Sequence, residues 1–229
     1  IWLSLEAYPA LVETLEEMTG ISIDYRRPGE WAVAVDEEHA QEEDAVAEWQ
    51  RGLGLVVEDL TPEEARHREP ALPENLVRAR FHPGVGSLSV HRLTQALAAA
   101  ARQLGATVLE ETPVGGILRE GDRITGVRLQ EHDLHADVTL LASGAWTRLL
   151  GDTIGVTLPT LPVKGQLIAF ANAPLRPSRV ISGHGGYVRP RPDDTTMVAA
   201  TEEYKGFDKR ITGDGVAWLL NLARTLCPV

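Results

Sequence analysis

Apolar positions follow two different periods, and the change of period divides the chain. Leu3, Leu5, Tyr8, Leu11, Val12, Leu15 and Met18 recur every three or four residues and Gly20 follows them. Residues 1–18 therefore read as an amphipathic helix, with Pro9 placed to kink it. After the turn at Arg27-Pro28-Gly29, the run from Glu30 to Val35 is rich in strand formers, and Asp36 caps a helix over 37–51 that stops at Gly52. Thr61-Pro62-Glu63-Glu64 is a capping box with proline at the first helical position; it opens a short helix ended by Pro70. Phe81 to Ser87 reads as a turn-rich connector, and Ser89 caps an alanine-rich helix from Val90 to Leu104 that closes on Gly105.

From Ala106 the pattern changes to short strands, predicted over 107–110, 116–119, 124–130 and 137–141 and separated by turns such as Glu120-Gly121-Asp122. The run from Val138 to Ala142 leads into Ser143-Gly144 and reads as a buried strand ending at a tight turn. Further strands are predicted over 163–171, 186–189 and 196–201, then a helix over 214–226. No internal repeat is present. The order suits an α/β fold of mixed α+β character, with two modules exchanged along the chain.

A length of 229 residues allows one large domain or two smaller ones, and 43% hydrophobic with 24% charged residues is the balance of a folded soluble protein. The net charge of −11 argues against a sequence-independent grip on nucleic acid, which needs Lys and Arg on phosphates. No run of about 18 apolar residues could span a bilayer, and no signal-peptide pattern opens the chain. The lone Cys227 cannot form an intrachain disulfide, so a cytoplasmic location is expected. Because Ile1 already reads as helix, a longer parent chain is expected as well.

The usual phosphate and metal motifs, GxGxxG, P-loop, CxxC and HExxH, do not occur. The histidines, at 39, 67, 82, 91, 132, 135 and 184, fall on scattered elements. Only His132 and His135 are close, flanking a hairpin without a further ligand to complete a tetrahedron, so no metal is expected.

Ala142-Ser143-Gly144-Ala145-Trp146, Leu161-Pro162-Val163-Lys164-Gly165-Gln166 and Tyr187-Val188-Arg189-Pro190-Arg191-Pro192 occur in this order, followed by Ala199-Ala200-Thr201-Glu202 and Gly206-Phe207-Asp208-Lys209-Arg210. In combination, and with Leu5-Glu6-Ala7-Tyr8-Pro9 near the start, they resemble the glycine oxidase branch of the D-amino-acid oxidase superfamily. The resemblance implies part of a Rossmann-type FAD-binding module plus an antiparallel-sheet substrate module with helices. It divides the chain into substrate parts at 1–87 and 158–229 and an FAD part at 88–157. The glycine-rich unit that holds the pyrophosphate is expected before residue 1, and an arginine for the substrate carboxylate after residue 229. The implied activity is oxidation of glycine, sarcosine or a small D-amino acid, with FAD as cofactor, oxygen as acceptor and a link to thiamine biosynthesis. A fragment that folds without flavin, or a D-amino-acid or glycerol-3-phosphate dehydrogenase, are the alternatives.

Residue by residue, the resemblance places the backbone of Val114 at the adenine, or leaves it as the start of a meander strand. It brings Ala142, Ser143 and Gly144 close to the dinucleotide, where glycine's missing Cβ matters, or leaves them an ordinary turn. Trp146 covers the cofactor or packs in a core. The Tyr187 hydroxyl holds the substrate carboxylate or simply packs on its sheet. Glu202 falls near the reactive face of the flavin, where an apolar side chain is more usual in that family, or is an exposed strand-end charge. Lys164 and Arg189 suit a carboxylate by charge, but strand alternation and Pro190 make solvent the expected surrounding of Arg189 and Arg191. Without the glycine-rich unit, apolar strand surface over 106–141 is expected to be bare and to drive self-association.

Overall fold

The computed structural model describes residues 2–173 and 176–228, so Ile1 of the first expected helix and the terminal Val229 lie outside the described residues. In chain order the elements are α1 (Trp2–Thr19), β1 (Glu30–Ala34), α2 (Glu37–Gly52), β2 (Glu58–Leu60), α3 (Pro62–Arg68), β3 (Arg78–His82), α4 (Val90–Gln103), β4 (Gly116–Glu120), β5 (Arg123–Arg128), β6 (Asp133–His135), α5 (Thr147–Asp152), β7 (Leu167–Ala171), β8 (Val180–Gly183), β9 (Gly186–Pro190), β10 (Thr195–Ala199) and α6 (Gly213–Leu226). They group into two compact units, one of Ile1–Gly105, Gly165–Thr201 and Arg210–Val229, the other of Ala106–Lys164 and Glu202–Lys209.

The first unit is built on a seven-stranded sheet in the order β2-β3-β1-β8-β9-β10-β7. Its pairs are antiparallel except β1 with β8, which run parallel with Trp31 opposite Ile181, so the sheet is mixed rather than wholly antiparallel. The caps read from the sequence start its helices. Asp36 accepts the His39 N–H at 2.9 Å, Thr61 and Glu64 close a reciprocal box, and Ser89 accepts from Arg92. Trp31 and Val33 of β1, Ile181, Val188 and Val198 of the next three strands and Leu219, Leu222 and Leu226 of α6 form one buried cluster. A second cluster joins α1 and α4 through Val12, Leu15, Ala96 and Ala100. The sequence division at residue 88 sets α4 with the strands that follow it; by contact it lies in the first unit, because its alanine face needs the α1 stripe to cover it.

Strand β3 replaces the start of the expected connector. Phe81 and His82 pair with Trp31 and Glu30 of β1, and the turn begins only after them. Its alternate residue Arg80 is 6% exposed because Asp59 (2.8 Å) and Asp44 both bind its guanidinium.

In the second unit β4, β5 and β6 form a small antiparallel sheet. Gly126 of β5 has φ +146°, and a Cβ there would fall on the Leu134 carbonyl of β6, so only glycine allows the two strands to approach. The expected strands over 107–110 and 137–141 do not form. Val138 and Leu140 are 84% and 87% exposed instead of buried, since no described strand pairs with that run to take its backbone hydrogen bonds. Among the described residues no helix is long and apolar enough to cross a membrane.

Candidate active site

Tyr187 lies in the first unit, on β9, opposite Ser182 of β8 and Ala199 of β10. Its neighbour Val188 is buried in the cluster with α6, so alternation directs Tyr187 and Arg189 to the other face. Tyr187 is partly exposed, and among the described residues its hydroxyl has no hydrogen-bond partner. A phenol held on a rigid strand with its donor unspent can serve an anionic ligand. Arg189 departs from the solvent-exposed state read from its strand. It is half-buried, its Nη2 donates to the Leu88 carbonyl at 3.1 Å, and its Nε is enclosed without a partner. Arg191 is exposed and pairs with Asp193 at 3.3 Å.

The remaining residues singled out in the sequence lie in the second unit. Val114 is 38% exposed just before β4, and its N–H and C=O make no backbone hydrogen bond among the described residues. Such a residue can meet the edge of a flat heterocycle. Ala142, Ser143 and Gly144 lead into a single 3-10 turn, with the Ser143 carbonyl accepting the Trp146 N–H at 3.0 Å. Gly144 has φ +53° and open space where a Cβ would point, so its glycine is demanded by the turn and leaves room for a ligand. Trp146 is half exposed rather than packed in a core. It stacks on Phe207 with ring centroids 5.4 Å apart, and the Lys209 ammonium lies 5.9 Å from its ring centre. Glu202 is exposed and accepts a 2.6 Å hydrogen bond from the Tyr204 hydroxyl, which raises the Tyr204 pKa. Lys164 is largely buried in an ion pair with Glu203 at 3.2 Å, so its charge is committed to the protein.

These features fit a dinucleotide at the second unit: unspent backbone groups at Val114, a turn without a side chain at Gly144, and an exposed indole beside it. Exposed Val138 and Leu140 add apolar surface on the same unit.

One side-chain group escaped the sequence. His39 and His184 stack with ring centroids 3.9 Å apart, and Asp36 lies 2.8 Å from Nδ1 of His39 and 3.9 Å from Nδ1 of His184. The three could hold a metal ion by spacing. However, the Val35 N–H donates to Nε2 of His184 at 3.2 Å, which puts the ring proton on Nδ1, facing Asp36. The arrangement is a hydrogen-bonded capping group rather than a ligand set. The hydrogen bond that Nδ1 of His39 donates to Asp36 raises the His39 pKa, while burial and then the charge of His39 lower that of His184. The His132 and His135 pair lies on the exposed β5–β6 hairpin.

The chain is 32% identical over 226 residues to a glycine oxidase of Pseudomonas aeruginosa, covering 98% of this chain and 61% of that protein. It is 30% identical over 226 residues to the bifunctional protein ThiO/ThiG of Synechocystis, covering 96% of this chain and 32% of that one. The crystal structure of glycine oxidase from Geobacillus kaustophilus superposes with a TM-score of 0.90 at 34% identity, over 99% of this chain and 61% of its own. The chain thus spans about three fifths of the length of the glycine oxidases it matches. The family model described as FAD dependent oxidoreductase matches residues 1–229, and the chain belongs to that family.

Proposed function

We propose that this chain is part of an enzyme that oxidises the amine of glycine or another small amino acid to the imine, with FAD as cofactor and oxygen as final acceptor. The observation that carries the reading is Tyr187, whose hydroxyl has no hydrogen-bond partner among the described residues, on strand β9 of a chain that superposes on a glycine oxidase. Bound FAD supplies a hydride acceptor for the substrate carbon. The chain's own residues bind and orient. Tyr187 donates its hydroxyl to the substrate carboxylate, a charge-assisted hydrogen bond that fixes which carbon faces the acceptor. The Val114 backbone meets the adenine, Ala142, Ser143 and Gly144 let the main chain approach the dinucleotide, and Trp146 covers it and excludes water. Glu202 adds negative charge near the reacting carbon, which favours a substrate with a cationic amine. A place in thiamine biosynthesis, as a source of the glycine imine, is part of the same proposal.

The test is an absorbance spectrum of the purified chain, alone and within the intact enzyme, after incubation with excess FAD and desalting, followed by oxygen consumption with glycine by the intact enzyme. A retained flavin band and oxygen uptake are expected, with Tyr187→Phe raising KM about tenfold at an unchanged flavin band. The exposed Val138 and Leu140 favour a second reading for the isolated chain, in which it folds without flavin. A colourless protein with a cooperative unfolding transition would select that reading.

A further inference from the structure

On the first unit, the 24–28 segment, the residues leading into β8 and the end of β9 enclose a hollow of about 410 Å³. Five arginines line it, Arg26, Arg176, Arg179, Arg189 and Arg191, in a chain whose net charge is −11. Three of them are matched by aspartates: Arg26 by Asp24 at 2.9 Å, Arg191 by Asp193 at 3.3 Å, and Arg176 by Asp194.

Arg179 and Arg189 have no carboxylate partner among the described residues. Arg179 donates Nε to the Pro28 carbonyl (2.8 Å) and Nη1 to the Ser178 hydroxyl (3.1 Å), with its guanidinium against the Phe81 ring. Arg189 gives Nη2 to the Leu88 carbonyl and leaves Nε unpaired. The nearby carboxylate of Glu69 does not line the hollow. It is 2% exposed and occupied by the Ser178 N–H at 2.9 Å, the Ser178 hydroxyl and the Ala71 N–H.

Five guanidiniums against three aspartates leave two positive charges on one concave surface. Neutral carbonyls satisfy some of their hydrogen bonds but not their charge, and a half-buried cation without a counter-charge is costly. We propose that this hollow binds a dianionic oxyanion of the phosphate class, free or as a phosphate monoester. The guanidinium fork matches such an oxyanion in geometry, and the charge of two matches the excess. Neither Tyr187, Val114 nor the 142–146 turn lines the hollow, although Arg189 shares a face of β9 with Tyr187.

The experiment is a heat-unfolding midpoint titration of the chain without flavin, using inorganic phosphate, glycerol phosphate, or acetate and chloride at matched ionic strength. Both phosphates should raise the midpoint saturably and the others should not. The tighter of the two identifies the free or esterified form. Arg179→Gln and Arg189→Met should each weaken the apparent affinity about tenfold, the loss of one charge-assisted hydrogen bond. If acetate or chloride matches phosphate, or if the variants keep full affinity, the proposal is overturned. Should Arg189→Met not fold, Arg179→Gln decides the matter, with isothermal titration of phosphate into the unaltered chain as the second reading.

Discussion

Val33, Ile181, Val188 and Val198 stand on four neighbouring strands of the first unit, buried beneath Leu219, Leu222 and Leu226 of α6. Val138 and Leu140 of the second unit have the same chemistry in an equally apolar run, yet they lie open to solvent. Intrinsic strand preference does not separate the two cases. What separates them is company: the first set has hydrogen-bonded neighbours on both sides and a helix above, the second has neither. A β-forming run becomes a strand only where other segments complete its ladder and cover its face.

The sharpest way to break this contrast is at the covered end. Leu219→Ala leaves a cavity under the sheet and should lower the stability of the first unit by about 3 kcal/mol in urea unfolding. A loss below about 1 kcal/mol would show that α6 is not the cover we describe. Gly126→Ala tests the one close strand approach of the second unit. Its strained backbone and the collision with the Leu134 carbonyl should cost about 2 kcal/mol, read as lost amide protection over 123–135 with the first unit unaffected.

Acid gives a smaller effect. The folded pKa of His184 is lowered, so the unfolded chain takes up that proton first, and stability is lost as pH falls below about 6.5. His82, also lowered by burial, adds to the loss. His39 acts oppositely, stabilising below about 6.5 and losing that as pH rises through its raised pKa, but it and Asp36 are solvent-screened. Glu30 and Glu43, raised by burial, work the other way as pH falls, so the His184 share is read as a difference: between pH 7 and pH 5 the urea midpoint of the unaltered chain should drop relative to that of His184→Asn, a residue that tolerates the φ of +52° at this position. A difference that is flat or of the opposite sign would contradict the assignment.

The smallest effect is at the open end. Leu140→Ala should change stability by less than about 0.5 kcal/mol. The double change Val138→Asp with Leu140→Asp should leave folding intact and shift any self-associated chain toward monomer in sedimentation. A chain that is monomeric before the change would remove self-association from the account.

The helices were readable because their signals are local. Asp36, Thr61 and Ser89 each start a helix through a hydrogen bond three residues away. Strand β3 was not, since Arg78 and Arg80 look like surface residues until Asp44 and Asp59 arrive from other elements. Val180 to Gly183 lies in a stretch with Pro177 and Ser178 and becomes strand β8 only by pairing with β1 and β9. The same division holds in the candidate site. That Tyr187 stands on a strand and shares a face with Arg189 followed from alternation, whereas the meeting of His184 with Asp36 and His39, and the convergence of arginines around Arg189, depend on segments remote in sequence.

The parallel pairing of β1 with β8 sets a timetable for the nascent chain. The Ser182 hydroxyl that donates to the Trp31 carbonyl stands 151 residues downstream. At a synthesis rate of about 5–20 residues per second, the β1 edge waits roughly 8–30 s for its neighbour. Throughout that interval the ribosome holds an unfinished sheet with an open apolar edge, the kind of surface that chaperones bind.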